Sequence, residues 1–118
     1  MPAEPLQLAI VGLGNVGTGV AKILTEHPDR ILQRAGRPIE IRRAIVRDMN
    51  KPRDVQLPAG VLSNDIESVI RDPRIQVAVE LMGGIHPARE VMLKLLEAGK
   101  DVVTANKALL CEHGDEIF

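Results

Sequence analysis

Apolar residues recur along this chain with two periods, and stretches of the two kinds alternate. Leu8-Ala9-Ile10-Val11 is an unbroken apolar run ending in glycine, the pattern of a buried strand over residues 6–12. Val20, Ala21, Ile23 and Leu24 follow at helical spacing and predict a helix over about 15–26. Pro28 ends it, because proline lacks an N–H and disfavours helical geometry at His27. Residues 29–34 can form a short second helical piece, and Ala35-Gly36-Arg37-Pro38 is a turn. Positions 39–47 read as a strand, alternating at first and then apolar through Ala44-Ile45-Val46. Residues 49–60 hold Pro52, Pro58 and Gly60 and are loop, and 61–63 form a short edge strand. Asn64 or Asp65 can cap a helix running to about Arg71, where Asp72-Pro73 stops it. Residues 76–82 are another buried strand, closed by Gly83-Gly84. Residues 86–98 are a helix with Val91, Leu95 and Ala98 on one stripe and Gly99 as its stop. Residues 101–106 are the last strand, and a helix follows from Lys107.

Parallel strands joined by helices imply right-handed crossovers. The predicted fold class is α/β: a Rossmann-like, doubly wound parallel sheet in one three-layer α/β/α domain, with strand order 3-2-1-4-5. A ligand of such a sheet sits at the carboxyl ends of the strands, at the switch between the first and the fourth. Four groups of strand-end residues then become candidates: Gly12 to Gly17, Arg47-Asp48, Met82-Gly83-Gly84 and Thr104-Ala105-Asn106-Lys107.

The first group reads Gly12-Leu13-Gly14-Asn15-Val16-Gly17, a G-x-G-x-x-G turn between a predicted strand and a predicted helix. In a dinucleotide site the first glycine allows the tight turn and the second leaves room for a pyrophosphate. The third lets the helix pack on the sheet. The phosphate then rests on the free N–H groups and the positive end of the helix. The same glycines also suit a plain strand–turn–helix. Arg47 and Asp48 bear on the choice of cofactor. An acidic residue there holds ribose hydroxyls, as for NAD, and an arginine pairs with the 2′-phosphate of NADP. A planar guanidinium suits a phosphate well, and Lys51 and Arg53 follow closely, so the reading leans to NADP with NAD as the alternative. Arg47 could instead form a surface ion pair with Asp48 or Glu40. It lies 30 positions past Gly17, where about 20 is usual, and the stretch 28–38 accounts for the excess.

Gly83-Gly84 either lets backbone approach the nicotinamide or simply turns the chain. Glu80 sits inside an apolar strand, where an unpaired carboxylate is costly, so it reaches a partner at the strand end or faces an opening. His86 reads as a helix-starting residue, and Cys111 as a small packing residue rather than a nucleophile. None of the three histidines has a Cys or carboxylate cluster beside it, so no metal site is expected.

Composition narrows the classes. The 118 residues suffice for one domain, and 15 Lys+Arg against 16 Asp+Glu give no sign of a nucleic-acid or membrane partner. No apolar run approaches the ~20 residues of a bilayer span, and 1–5 do not resemble a signal peptide. A single cysteine excludes an internal disulfide framework and fits a reducing, cytoplasmic setting. With no Trp or Tyr and one Phe, the core must be aliphatic.

Taken together, Gly12 to Val20, Glu80-Leu81-Met82-Gly83-Gly84 and Val102-Val103-Thr104-Ala105-Asn106-Lys107-Ala108-Leu109-Leu110 resemble homoserine dehydrogenase. The strand end Ala44 to Asp48 and the tail Glu112-His113-Gly114-Asp115 fit the same pattern, so the resemblance covers nearly the whole chain. It implies NAD(P)-dependent interconversion of L-homoserine and L-aspartate 4-semialdehyde, on the route to threonine and methionine. It also implies cofactor contacts from Gly12, Leu13, Gly14, Asn15, Val16, Gly17, Arg47, Gly83, Thr104 and Lys107. Lys107 would be catalytic, its charge supporting an alkoxide-like oxygen during hydride transfer. A lysine in a first helical turn opposes the helix dipole, which also suggests a ligand or partner there, although a solvated lysine is the plain reading. The family's substrate-binding and dimer-forming domain, with a second lysine as proton donor, has no counterpart in these residues. The chain ends at Ile117-Phe118 in apolar helical pattern, so the expectation is that residues 1–118 are the cofactor domain of a longer homo-oligomeric enzyme, inactive alone. Two alternatives are a freestanding nucleotide-binding sensor and a related amino-acid or semialdehyde dehydrogenase sharing this half-fold.

Overall fold

The computed structural model describes residues 4–82, 87–104, 106, 111 and 115. Five parallel strands form one sheet: β1 (Leu6–Val11), β2 (Ile39–Ile45), β3 (Leu62–Ser63), β4 (Val77–Glu80) and β5 (Asp101–Thr104). Their order is β3-β2-β1-β4-β5, as the alternation predicts. The helices are α1 (Asn15–Glu26), α2 (Pro28–Ala35), α3 (Glu67–Ile70) and α4 (Ala88–Glu97).

The central strand shows why the sheet has two covered faces. Successive side chains of a strand point to opposite sides, so β1 divides its apolar run. Leu8 and Ile10 pack with Ala21 of α1 on one face, and Ala9 and Val11 pack with Val69 of α3 and Leu95 of α4 on the other. A strand covered on both sides reads as a continuous apolar run rather than an alternation. Both clusters are aliphatic, as the composition requires.

Pro28 stands at the first position of α2, so the residue that ends α1 also begins the next helix, where its missing N–H costs nothing. Gly36 closes α2 with a left-handed φ of 77°. This extra helix is the insertion that lengthens the path from Gly17 to Arg47. The register of β1 on β2 jumps from Leu8↔Ile41 to Ala9↔Arg43, leaving Arg42 as the bulged residue.

Several elements end differently from the sequence reading. Strand β2 stops at Ile45 rather than 47, although the N–H of Val46 still donates to Ser63 O at 2.9 Å. α3 is one turn, with Ile66 at its N-cap, while the carboxylate of Asp65 accepts the N–H of Glu67 at 3.0 Å. The buried stripe of α4 is Ala88, Met92 and Leu95. Val91 is only half-buried, and Ala98 is exposed because it lies past the last helical turn, at the C-cap. Cys111 is exposed and so does not pack in a core. Gly83, Gly84, His86 and the helix from Lys107 lie outside the described residues. Among the described residues, no helix is long and apolar enough to cross a membrane.

Candidate functional site

The turn after β1 is built by its three glycines, each for a different steric reason. Gly12 has φ 106°, which L side chains rarely adopt, and a Cβ there would stand 3.0 Å from the backbone of Leu81. Gly17 is tighter still: a Cβ would fall 1.9 Å from the carbonyl oxygen of Gly12, so only glycine lets the first turn of α1 rest on the end of β1. Gly14 is the opposite case. Among the described residues nothing lies within 4 Å of where its Cβ would be, so none of them crowds this backbone.

Gly14 is also the N-cap of α1, and no side chain caps that end or places an acid in its first turn. The leading N–H groups of a helix have no intrahelical acceptors and carry its positive partial charge. Most natural N-termini recruit a Ser, Thr, Asp or Asn to meet them. Here the end remains uncapped, beside open space, at the carboxyl end of the central strand. Thr18 turns its hydroxyl back onto Leu13 O at 3.1 Å, which helps hold the turn. Asn15 and Val16 are exposed, while the Leu13 side chain belongs to the core.

A cavity of about 900 Å³ opens at this point, bordered by Gly12, Leu13 and Gly14, by the end of β2 from Ile45 to Asp48, and by Met82. Ile66, Pro87 and Val91 complete its apolar side, with Asn64 beside them. Such a volume, apolar on one side and polar on the other, suits a small organic ligand. Its position at the carboxyl ends of β1, β2 and β4 is where the order of the sheet reverses.

The β2 side of the cavity is cationic. Arg47, Lys51 and Arg53 border it together with Asp48. Arg53 shapes the loop: its guanidinium donates to Asp48 O at 2.8 Å and Lys51 O at 2.9 Å, while its buried Nε has no partner among the described residues. Lys22 of α1 pairs with Asp54 at 2.9 Å and ties the same loop to the first helix. Asp48 uses one carboxylate oxygen to accept the N–H of Asn50 at 2.9 Å. The ion pairs that could have engaged Arg47 are not formed among the described residues: Glu40 accepts from Gln7 at 2.7 Å, and Arg47 is exposed on the cavity wall.

On the other side of the switch, Glu80 is fully buried and satisfied. It accepts the N–H of Met82 at 2.8 Å and the hydroxyl of Thr104 at 2.7 Å. The alternative that it faces an opening is thereby settled. The hydroxyl hydrogen of Thr104 is committed to Glu80, and its oxygen accepts the N–H of Asn106 at 3.0 Å. The sequence marked Glu80 as anomalous but gave no way to find its partner, which is 24 positions away. It also named Arg53 only as a neighbour of Arg47. Its loop-folding role depends on two carbonyls, which any residue type supplies. Gly83 and Lys107 lie outside the described residues. Among the described residues, no three of His, Cys, Asp and Glu gather as metal ligands.

Comparison with known proteins agrees with this geometry. Residues 12–118 match the family described as homoserine dehydrogenase, NAD binding domain. The homoserine dehydrogenase of Bacillus subtilis is 38% identical over 115 residues, which cover 98% of this chain and 27% of that protein. That of Pseudomonas aeruginosa is 44% identical over 115 residues, covering 98% and 26%. The crystal structure of a homoserine dehydrogenase from Thiobacillus denitrificans superposes with a TM-score of 0.85 at 40% identity, covering 98% of this chain and 26% of that one. The chain thus spans about a quarter of the length of these relatives. With the family's NAD binding domain matched over residues 12–118 and relatives of 38–44% identity covering nearly all of these residues, the chain belongs to the homoserine dehydrogenase family.

Proposed function

We propose that residues 1–118 are the nicotinamide-dinucleotide domain of an oxidoreductase that interconverts L-homoserine and L-aspartate 4-semialdehyde, with NADP preferred over NAD. The observation that carries the nucleotide reading is the glycine turn. Gly17 must be glycine for the helix to reach the strand, whereas Gly14 is crowded by none of the described residues, which leaves its backbone available to a ligand. The uncapped N-terminus of α1 supplies N–H donors to a pyrophosphate there. Gly12, Leu13, Asn15 and Val16 form the rest of that cradle.

Arg47 meets the 2′-phosphate in this reading. It is exposed at the end of β2, while Asp48 already has one oxygen in a turn. Lys51 adds charge on the same wall. A bound nicotinamide supplies or accepts the hydride. Lys107, by family resemblance, stabilises the developing charge on the substrate oxygen, and Gly83 and Thr104 belong to the nicotinamide side. Substrate ligands, the proton donor and subunit contacts are assigned to the remainder of the family's chain, so the 118-residue chain alone binds nucleotide and turns over no homoserine.

The test is a titration with NADPH and NADH followed by nicotinamide fluorescence, against a low background because the chain has no Trp or Tyr. Saturable binding with NADPH tighter supports the proposal. Equal or tighter NADH keeps the site and moves the ribose contact to Asp48. Binding of neither overturns the nucleotide reading, and homoserine oxidation by the purified chain overturns its dependence on a further domain.

A further inference from the structure

The fully buried carboxylate of Glu80 is hard to explain by stability. It lies in an otherwise aliphatic strand between Val79 and Leu81, where an apolar residue could be buried without the desolvation cost of an ionisable group. What the carboxylate does instead is link two strand ends. Glu80 and Thr104 are the last register pair of β4 and β5. Glu80↔Thr104 is the last rung of that ladder among the described residues, and side chains add bonds beyond it: Met82 N–H to Glu80, Thr104 hydroxyl to Glu80, Asn106 N–H to Thr104. These three bonds hold the backbone leaving β4 and the backbone leaving β5 as one unit.

The position of that unit gives it a use. A dinucleotide in a doubly wound sheet straddles the switch point, with one half over each side. The cationic wall of Arg47 and Lys51 lies on the β2 side, and the glycine turn lies at the middle. The remaining half of the ligand then falls over the ends of β4 and β5. Resting on the nucleotide reading above, we propose that Glu80 is a positioning residue for the nicotinamide half, acting through Met82 and Thr104. It touches neither hydride donor nor acceptor; it fixes the backbone on which that half is seated.

The experiment compares the chain with its Glu80→Gln and Thr104→Val variants. Each is titrated with NADPH, NADH and 2′,5′-ADP, which carries only the adenosine half, and each is melted by circular dichroism. Glutamine keeps the shape but offers a single acceptor oxygen where two donors converge. Valine keeps the shape of Thr104 and removes only the hydroxyl. The expected result is that both variants bind NADPH and NADH about tenfold more weakly, with their ratio unchanged, while 2′,5′-ADP binds as before. A uniform loss over all three ligands means that Glu80 only supports the fold and overturns the proposal. Unchanged affinities also overturn it. If Glu80→Gln fails to fold, Thr104→Val carries the same comparison, since it deletes two bonds, the one to Glu80 and the one from the Asn106 N–H, at a half-buried position. Should the unmodified chain bind none of the three ligands, the nucleotide reading fails and this proposal fails with it; binding by the unmodified chain, matched by both variants, removes the positioning role alone.

Discussion

The amino ends of β4 and β5 and the carboxyl ends of β1 and β2 treat polar groups in opposite ways. At the amino ends of β4 and β5 they are drawn together and satisfied. The Asp72 carboxylate receives the Arg42 guanidinium on one oxygen, and the backbone N–H and side chain of Arg74 at 3.0 and 3.3 Å on the other. Lys100, itself buried, donates to the carbonyls of Asp72 and, at 2.9 Å, Ile75. The β2 bulge is what brings Arg42 out of the ladder to this cluster. At the carboxyl ends of β1 and β2 groups instead stay open among the described residues: a helix with no side-chain cap, a glycine with nothing beside it and an arginine with no ion pair. The Asp72 cluster closes its electrostatics internally, whereas the glycine turn and the end of β2 keep donors free, which on the proposed function would meet a nucleotide.

Mutations should therefore split into those that change stability and those that change binding. The largest effect is expected at Gly17→Ala. Its Cβ meets a carbonyl oxygen, which no side-chain rotation can relieve, so urea unfolding should show a loss of about 3 kcal/mol and nucleotide binding should disappear with it. Here stability and binding fail together, because this glycine both packs the helix and forms the cradle.

Asp72→Ala tests the other end, and only stability should suffer. Burial alone would raise the Asp72 carboxyl, but hydrogen bonds from Arg42 and Arg74 outweigh it and hold the group down at about 2. A carboxyl depressed in the folded state stabilises above its unfolded value near 3.8, and that stabilisation is lost as pH falls toward 2. The contribution at neutral pH is about 2 kcal/mol. Urea midpoints for the unmodified chain should fall between pH 4 and pH 2, and the variant should lack that part of the fall. An equal slope in the two proteins would mean that the clamp is not what sets acid stability. NADPH affinity at neutral pH should not move.

Gly14→Ala should separate the two properties in the reverse sense. The backbone there has φ −74°, open to any residue, and no neighbour among the described residues is within reach. Stability should stay within about 0.5 kcal/mol, while the added methyl group occupies the phosphate's space and weakens NADPH about tenfold, or roughly 1.4 kcal/mol. A variant that binds as tightly as the unmodified chain would remove the phosphate from this turn. The smallest effect is expected for Arg47→Ala. An exposed charge contributes little, so NADPH should weaken about fivefold and NADH hardly at all. Parallel loss for both cofactors would deny Arg47 its role in telling them apart.

The parts of this molecule legible in the sequence are those that one segment settles by itself. The run Leu8 to Val11 had to be a strand covered on both faces, and the glycines of residues 12–17 had to turn the chain, because their reasons are local sterics and period. The β/α alternation then left few topologies, since parallel strands need right-handed crossovers, and the strand order followed. Boundaries were less legible. The α4 stripe runs through Met92 rather than Ala98 because the facing surface of the sheet, not the helix, selects which residues are buried.

Contacts between distant segments belonged to the tertiary structure alone. Arg42 meets Asp72 across 30 positions, and Glu80 meets Thr104 across 24. No spacing rule connects such pairs, because strand register and a bulge decide which side chains come within bonding distance. The sequence determined that a strand, a glycine turn and a helix would present an uncapped N-terminus. Only the folded sheet decided that Arg47 would have no ion pair among the described residues and that Glu80 would be closed in. A charged side chain is open or satisfied according to what the rest of the chain brings to it, and that depends on packing at a distance.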